Sequence, residues 1–341
     1  MTSYSDRHID KSESEISHIG RIGIVVIGRN EALNLPRCLN SLRGFPNLIY
    51  VDSGSTDDSV EKARDHGVRV LELDDQILMT AARGRNAGAY ALIKSPEIEF
   101  IQFIDGDCEL VSGWLEQAVN FLENNPNVGA VCGLRMERNP GMSIYNQLAE
   151  REWRTPIGLA LSTGGDALVR VSAFRAVCGF RDDQVAHEEP EFCARLRADG
   201  WQIWRLDCDM TVHDAATFRF RDYYRRSRRA GFGIMQAILC HNGSLDRSSN
   251  MIIVRAIFWS AIFLLSISLT IVFADLAFLI LNVMYILQWI RIFMREYRAL
   301  KCSVRAAAIC ASLNIASKFA EADGAVRAVW HHFLKRPRGA S

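Results

Sequence analysis

Apolar residues follow two alternating patterns over the first hundred positions of the chain. Short runs rich in β-branched and aromatic residues, such as 22–27 and 100–104, are typical of strands buried on both faces. Between such runs, apolar residues spaced three or four positions apart predict helices, several of which end at glycine. The predicted strands are residues 22–27, 48–51, 68–73 and 100–104, and the predicted helices are 31–42, 57–66 and 84–94. This order predicts a doubly wound α/β domain with ligands beyond the carboxyl ends of its strands.

The hydrophobic pattern changes abruptly after about residue 250. Residues 256–290 carry one charged residue, Asp275, and form a stretch too long for a single comfortable membrane span. We therefore predict a transmembrane helical hairpin at 251–293, with Asp275 between its helices. A buried helix pair, or a single tilted or re-entrant span, is the alternative. Basic residues predict that both ends stay cytoplasmic: Arg225, Arg226, Arg228 and Arg229 before the stretch, and Arg291, Arg295, Arg298 and Lys301 after it.

The other segments and the composition complete this outline. Residues 21–240 form the predicted α/β domain, and residues 294–341 form an amphipathic helical segment predicted to lie on the membrane surface. Residues 1–20 are polar, lack the apolar core of a secretory signal and are predicted to be a disordered tail. The formal charge of +1 argues against a nucleic-acid partner, which requires a basic excess. Nine cysteines without a C-x-x-C pair favour a reducing compartment.

Acidic residues follow two of the predicted strands. Asp105 and Asp107 flank Gly106 directly after the strand at 100–104, so both carboxylates can face one site that suits Mg²⁺ or Mn²⁺. Asp52 ends the second strand, where a carboxylate can contact a nucleobase or ribose. Either motif can also be an ordinary turn or helix cap. No G-x-G-x-x-G follows Gly28, which argues against a nicotinamide site, and no Gly-Lys-Ser/Thr follows a glycine-rich turn, so a P-loop motif is absent.

Taken together, these motifs resemble the family 2 glycosyltransferases, whose catalytic domain has the GT-A fold, a Rossmann-like mixed sheet that binds nucleotide-diphospho-sugars. The resemblance covers about residues 21–235 and makes 21–240 the expected catalytic domain. It rests on four segments, 24–31, 51–57, 83–88 and 105–107. It implies nucleotide-sugar contacts from Gly28, Asn30, Glu31, Asp52, Arg83, Arg85, Asn86 and Asp105. It also implies a divalent cation bound by Asp107, Asp105 and His213, with Asp107 as the direct ligand.

The resemblance places the catalytic base in residues 187–196. Inverting transfer needs a carboxylate that removes the proton of the acceptor hydroxyl. Glu189 is the candidate and Glu188 the reserve, since the family usually has Glu-Asp at these two positions. The alternative is an acidic first turn that only favours the helix dipole. Gly164, Gly165 and Asp166 resemble the acceptor-side segment of the family.

A basic segment, residues 221–233, precedes the apolar stretch. Its residues Arg225 and Arg228 can hold a leaving diphosphate or a lipid-linked pyrophosphate. Attraction to anionic lipid headgroups is an equally good interpretation of the same charges.

The resemblance implies an inverting glycosyltransferase at the inner membrane, with its catalytic domain facing the cytoplasm. Its donor is predicted to be a nucleotide-diphospho-sugar, a UDP-sugar, and its acceptor a saccharide or lipid-linked saccharide in surface polysaccharide synthesis. The absence of Q-x-x-R-W predicts one sugar per encounter. One alternative is an inactive membrane-anchored adaptor with the same fold. Another, a nucleotidyltransferase, is disfavoured because residues 28–31 do not form a glycine-rich, lysine-bearing loop.

Overall fold

The computed structural model describes residues 19–241, 246–273, 276–300 and 303–335. Within them, nine strands form one mixed sheet in the order β3-β2-β1-β4-β8-β6-β9-β5, with β7 beside β9. The strands are β1 (Ile22–Gly28), β2 (Leu48–Asp52), β3 (Arg69–Glu72), β4 (Phe100–Asp105), β5 (Cys108–Leu110), β6 (Val128–Glu137), β7 (Gly158–Leu159), β8 (Ala167–Arg170) and β9 (Gln202–His213).

The first four strands are parallel, as the alternating sequence pattern predicts. β8 then pairs antiparallel with β4, and β6 pairs antiparallel with β8 and parallel with β9. The carboxyl ends of β1, β2 and β4 therefore meet at one edge of the sheet. The polar motifs that follow these strands lie along that edge, which is the edge where ligands of doubly wound sheets bind.

Helices cover both faces of the sheet. The helices of the α/β domain are α1 (Leu35–Ser41), α2 (Ser59–Asp65), α3 (Ala81–Leu92), α4 (Trp114–Asn124), α5 (Ile144–Trp153), α6 (Val171–Ala176), α7 (Glu188–Ala198) and α8 (Phe220–Cys240). One core contains α1, α2 and α4 around the fully buried Trp114. The other contains α3, α6 and α7 around the aromatic residues Phe103, Phe174 and Phe192. The two cores hold the strands rigidly, so the edge that carries the polar motifs is a fixed platform.

The C-terminal part consists of three long helices, α9 (Arg247–Phe273), α10 (Leu276–Leu300) and α11 (Val304–Lys335). One span among the described residues, Ser249–Val272, is long and apolar enough to cross a membrane, with a mean hydropathy of 2.2, and 17% of it is buried. α10 does not meet the same criterion, so the predicted hairpin at 251–293 stays a prediction. Asp275, Lys301 and residues 1–18 of the predicted tail lie outside the described residues.

α11 packs closely against α8 of the α/β domain. A methyl group added at Gly231 of α8 would overlap the carbonyl of Glu321, and one added at Gly324 of α11 would overlap the carbonyl of Arg228. The two backbones are thus in direct contact at these glycines, as in the close helix pairs that small residues permit. This contact attaches α11 to the wall of the α/β domain.

Candidate active site

The end of β4 and the end of β9 bring together Asp107 and His213. β5 pairs with β9 so that Cys108 lies opposite His213. The Nε2 atom of His213 lies 3.2 Å from Oδ2 of Asp107. Burial opposes ionisation of Asp107, but the hydrogen bond from His213 holds the pKa of this carboxyl below its ordinary value. The ring of Trp153 packs edge-on against the imidazole, with 4.7 Å between the centroids, and orients it.

Arg85 is the centre of the acidic cluster. Its side chain is 2% exposed, and its guanidinium lies 2.8 Å from Oδ1 of Asp105 and 2.6 Å from Oε1 of Glu188. It also lies 3.8 Å from Oε1 of Glu189. The sequence predicts a base or phosphate contact for Arg85. The structure instead uses this arginine to join the first acid of the D-x-D motif to the acidic pair on α7.

Two carboxyl groups near Arg85, those of Asp105 and Glu189, have raised pKa values. Burial raises the pKa of Asp105 to about 6, although Arg85 and Arg135 oppose this. Burial and the neighbouring Glu188 raise the pKa of Glu189 to about 7, with Arg85 opposing. A general base works best when its pKa lies near the working pH, so Glu189 is suited to take a proton.

Glu189 opens into a pocket of about 390 Å³ between α7 and α8. Three arginines of α8, Arg225, Arg226 and Arg229, line the same pocket. Arg228 points elsewhere and lies 3.9 Å from Asp323 of α11. The prediction that Arg228 lies with Arg225 in an acceptor or diphosphate site is therefore corrected.

Asp166 lies beneath the site rather than on the acceptor side. It is fully buried. Its carboxylate accepts hydrogen bonds from the backbone N–H of Asp105 at 3.0 Å and from Oγ1 of Thr211 at 2.7 Å, and it lies 2.7 Å from Nη2 of Arg135. No surface of Asp166 is left for an acceptor, which corrects that prediction. Its carboxylate instead fixes the end of β4 and pairs with Arg135.

Gly165 lies against the D-x-D motif. A methyl group added there would lie 2.6 Å from Oδ2 of Asp105. The backbone at Gly165 therefore closely approaches a carboxylate of the protein. The predicted close approach at the glycine pair was to the acceptor. Gly164 is exposed, with φ of +86° and open space around it.

The loops after β1 and β2 bind each other. Asp52 is 2% exposed, and its carboxylate accepts hydrogen bonds from Tyr50, from the backbone of Gly54 and from both the backbone and the hydroxyl of Ser55. In this structure it organises its own loop. Asn30, with φ of +59°, donates its backbone N–H to Oγ of Ser55 at 2.8 Å and so joins the two loops.

Gly28 and Glu31 belong to the same loop pair. A methyl group at Gly28 would lie 3.0 Å from the hydroxyl of Tyr50, so glycine leaves room for the group that holds Asp52. Burial and the nearby Asp107 raise the pKa of Glu31 to about 7. Glu31 thus adds a further acid near Asp107, and its contact with the nucleotide-sugar stays a prediction.

Arg83 and Asn86 support other loops. The guanidinium of Arg83 donates to the carbonyls of Ile77 and Leu78, both at 2.9 Å. Asn86 is 6% exposed, and it exchanges two hydrogen bonds of 2.8 Å with the backbone of Phe180. The prediction that Asn86 contacts the nucleotide-sugar is corrected, because both ends of its amide are used within the protein.

Sequence reasoning assigned no role to Arg135, because only the pairing of β6 with its neighbours brings it to Asp166. Arg226 and Arg229 lie in the basic segment 221–233 that the sequence indicated, and they line the pocket with Arg225.

The residues at Asp107 and His213 fit a divalent cation. Ligand atoms of Asp107, Cys108 and His213 lie within 4.8 Å of one another. Burial raises the pKa of the Cys108 thiol well above its ordinary value, so this side chain stays neutral. The partly exposed carboxylate and imidazole remain, and such ligands suit Mg²⁺ or Mn²⁺ when further oxygens complete the shell. In a second group, Asp105, Cys108 and Asp166, both carboxylates already pair with arginines, so this group fits a cation less well.

Comparison with known proteins agrees with this geometry. The sequence model of glycosyl transferase family 2 matches residues 23–177, from β1 through α6. The matched segment, residues 23–177, belongs to glycosyl transferase family 2 and carries the matched motifs at the sheet edge described above.

Known relatives are similar over a wider region. The chain is 29% identical to the pre-mycofactocin glycosyltransferase of Mycobacterium tuberculosis, over 62% of its own length and 46% of the relative's. It is 23% identical to the glycosyltransferase AglE of Haloferax volcanii, over 66% of this chain and 77% of that protein. The match therefore spans about half the length of the mycobacterial relative.

A solved structure shows the fold of this chain. The mannosyltransferase PcManGT from Pyrobaculum calidifontis, determined in complex with GDP-Man and Mn²⁺, superimposes with a TM-score of 0.61 at 16% sequence identity. The superposition covers 91% of this chain and 87% of that one. The predicted GT-A-like mixed α/β sheet is thereby confirmed.

Proposed function

We propose that this chain transfers a sugar from a nucleotide-diphospho-sugar to an acceptor hydroxyl with inversion at the anomeric carbon. The observation that carries the proposal is the bridge made by Arg85 between Asp105 and the acidic pair Glu188 and Glu189. Through this bridge, the proposed cation-binding edge of the sheet lies beside the carboxylate of Glu189, whose pKa is about 7. Inverting transfer requires both groups at one cleft.

Asp107 and His213 would hold the divalent cation. When bound, such a cation supplies positive charge that neutralises the departing diphosphate. Glu31 and Asp105 lie beside this pair on the donor side, and the loops that contain Asn30 and Asp52 border the same edge. We assign the nucleotide to this edge. A UDP-sugar is the first donor to test and a GDP-sugar the second, because the solved relative contains GDP-Man.

Glu189 is the proposed base. As the acceptor oxygen attacks the anomeric carbon, its proton passes to the carboxylate of Glu189, and the bond between that carbon and the diphosphate breaks. Arg85 positions this carboxylate and the neighbouring Glu188. Glu188 is 6% exposed and already bonded to Arg85 at 2.6 Å, which favours Glu189 as the residue that meets the acceptor.

The acceptor would enter the pocket between α7 and α8. Arg225, Arg226 and Arg229 line it together with Glu189. Arginine binds phosphate oxygens in a bidentate manner, so this lining favours an acceptor that carries phosphate, such as a lipid-linked saccharide. We propose single additions to such an acceptor in surface polysaccharide synthesis.

We also propose a membrane location. The apolar span Ser249–Val272 would enter the inner membrane, with residues 21–240 as the catalytic domain on its cytoplasmic side. The hairpin at 251–293 and the amphipathic segment at 294–341 are part of this proposal. Basic side chains near both ends of the apolar helices support that orientation.

The test uses the full chain purified in detergent with Mn²⁺ and a panel of UDP- and GDP-sugars. We expect metal-dependent donor binding and slow donor hydrolysis. Glu189→Gln should bind the donor normally but lose transfer by at least a hundredfold, the range that general-base catalysis supplies. Glu97→Gln, an exposed acid away from the site, is the matched control.

Two results would count against the proposal. Full transfer by the Glu189→Gln chain would reject the assignment of the base. Absence of metal-dependent donor binding by the unmodified chain would favour an inactive adaptor with the same fold.

A further inference from the structure

A second cavity lies among the C-terminal helices. It has a volume of about 540 Å³ and is lined by residues of α9, α10 and α11. Four cationic side chains belong to its wall: Arg255, Arg291, Arg295 and Lys318. None of its lining residues belongs to the active site described above, so this cavity needs its own explanation.

The positive charge of this cavity is only partly balanced. Glu296, which is 1% exposed, pairs with Arg295 at 2.7 Å and also with Arg151. Glu321 pairs with Lys318 at 2.7 Å. Across the part of the chain that the structure describes, the side chains of Arg255 and Arg291 make no ion pair and no hydrogen bond.

The cationic side chains of the cavity also repel one another. Burial lowers the pKa of Arg295, and the charges of Arg151, Arg291 and Arg255 lower it further. Like charges gathered at a concave surface raise the local concentration of anions. Arg255 and Arg291 are exposed, so their guanidinium groups are open to an anion that enters the cavity.

The position of the cavity indicates what carries that anion. Arg255 and Trp259 lie near the start of the apolar span, and Arg291 lies near the end of the antiparallel α10. The rings of Trp259 and Tyr285 meet edge-on with 5.4 Å between centroids. Tryptophan and tyrosine concentrate at the headgroup level of bilayers, and arginines near helix ends reach the same level.

We propose that the cavity between α9, α10 and α11 binds the phosphate or pyrophosphate group of a membrane lipid. Arg255 and Arg291 donate to its oxygens, and Trp259 and Tyr285 lie beside the first carbons of its chain. The proposal rests on the proposed membrane location of α9 and does not depend on sugar transfer. The lipid is either a bilayer phospholipid or a lipid-linked acceptor, which share this headgroup chemistry.

A series of cavities leads from this site towards Glu189. Lys318 lines the lipid cavity and pairs with Glu321, and Glu321 lines a smaller cavity of about 230 Å³. His187 and Arg226 line that smaller cavity and also the pocket that contains Glu189. One ion pair and two shared lining residues therefore relate the lipid cavity to the pocket that contains Glu189.

The experiment measures lipid binding to the full chain in detergent by native mass spectrometry. The ligands are a polyprenyl phosphate, dioleoyl phosphatidic acid, dioleoylglycerol as the phosphate-free control, and inorganic pyrophosphate. We expect both phosphate lipids, or the polyprenyl phosphate alone, to bind. Arg255→Gln and Arg291→Gln should each weaken that binding on the order of tenfold, as loss of a charge-assisted hydrogen bond does.

Arg298→Gln is the matched control, because Arg298 is exposed on α10 and does not line the cavity. Arg255→Lys keeps the charge and should retain part of the binding, which separates loss of the anion ligand from misfolding. Preference for the polyprenyl phosphate identifies the acceptor as the source, and equal binding of phosphatidic acid identifies a bilayer lipid. Equal affinities across all variants, equal binding of dioleoylglycerol, or equally tight binding of pyrophosphate would overturn the proposal.

Donor hydrolysis is measured on the same samples. If the unmodified chain hydrolyses donor but no variant changes lipid binding, only this inference fails. If it binds phosphate lipid as expected but never binds a nucleotide-sugar, only the proposed function fails.

Discussion

Replacing Arg85 by Gln removes the cation that three carboxylates share. The guanidinium is 2% exposed and contacts Asp105, Glu188 and Glu189, so the substitution leaves buried acids without a partner. Breaking a buried ion pair in this way costs about 3–5 kcal/mol. For a domain of this size, that corresponds to a fall in Tm of roughly 6–20 °C.

The loss of stability in the Arg85→Gln chain depends on pH in a defined direction. Without Arg85, the pKa values of Asp105 and Glu189, already about 6 and about 7, rise further because Arg85 lowers both. A group whose pKa is raised in the folded state stabilises it at low pH, and that stability is lost as the pH rises through the folded pKa. The Tm of the Arg85→Gln chain should therefore be closest to that of the unmodified chain near pH 6. At pH 8 it should lie much further below that of the unmodified chain.

Thermal unfolding of the full chain in detergent, followed by intrinsic fluorescence at pH 6 and pH 8, measures both effects. Arg83→Gln is the control, because Arg83 lies on the same helix and bonds to loop carbonyls at the surface. Its Tm should change by only a few degrees. An equal change for the two variants, or a larger loss for Arg85→Gln at pH 6 than at pH 8, would show that Arg85 does not neutralise these acids.

Three further predictions concern the same site. Transfer should fall as the pH is lowered through about 7, because Glu189 must be ionised to accept a proton; a pH profile of kcat/KM that is flat from 6 to 8 would contradict this. Gly165→Ala should weaken Mn²⁺-dependent donor binding by about tenfold or more, as measured by calorimetry, because the new methyl displaces the carboxylate of Asp105. Gly141→Ala, which has open space, should leave it unchanged. Asn86→Ala should lower the free energy of unfolding by about 1–3 kcal/mol in urea, because it removes buried hydrogen bonds to Phe180; no change would mean that the loop is held by other contacts.

The parallel half of the sheet could be predicted because each strand is a local apolar run and each polar motif follows such a run directly. Asp107 and Glu189 were predicted as site residues in the same way, from short motifs at the ends of elements. The sequence contains no local sign that Arg85 joins them, because its contact with Glu188 spans 103 positions. Such a contact exists only after α3 and α7 have packed on one face of the sheet.

The corrected predictions share one physical cause. Asp166 and Asn86 have the side-chain chemistry of ligand-binding residues, but their polar atoms are used to fix the backbone of neighbouring segments. The sequence pattern alone does not distinguish a polar group that binds a ligand from a polar group that positions a ligand-binding residue. The predicted hairpin is unconfirmed for a different reason, because Gln288 and Arg291 reduce the apolar character of α10.

The close packing of α8 and α11 at Gly231 and Gly324 has a consequence for the distance between the membrane and the pocket that contains Glu189. Two backbones in contact cannot slide past each other without losing that fit, so α8 and α11 move as one body. α8 also forms a wall of the pocket that contains Glu189. With α9 inserted in a bilayer as proposed, the base stands at a set height above the lipid surface, and the chain would select acceptors by the distance between their anchor and the hydroxyl to be glycosylated.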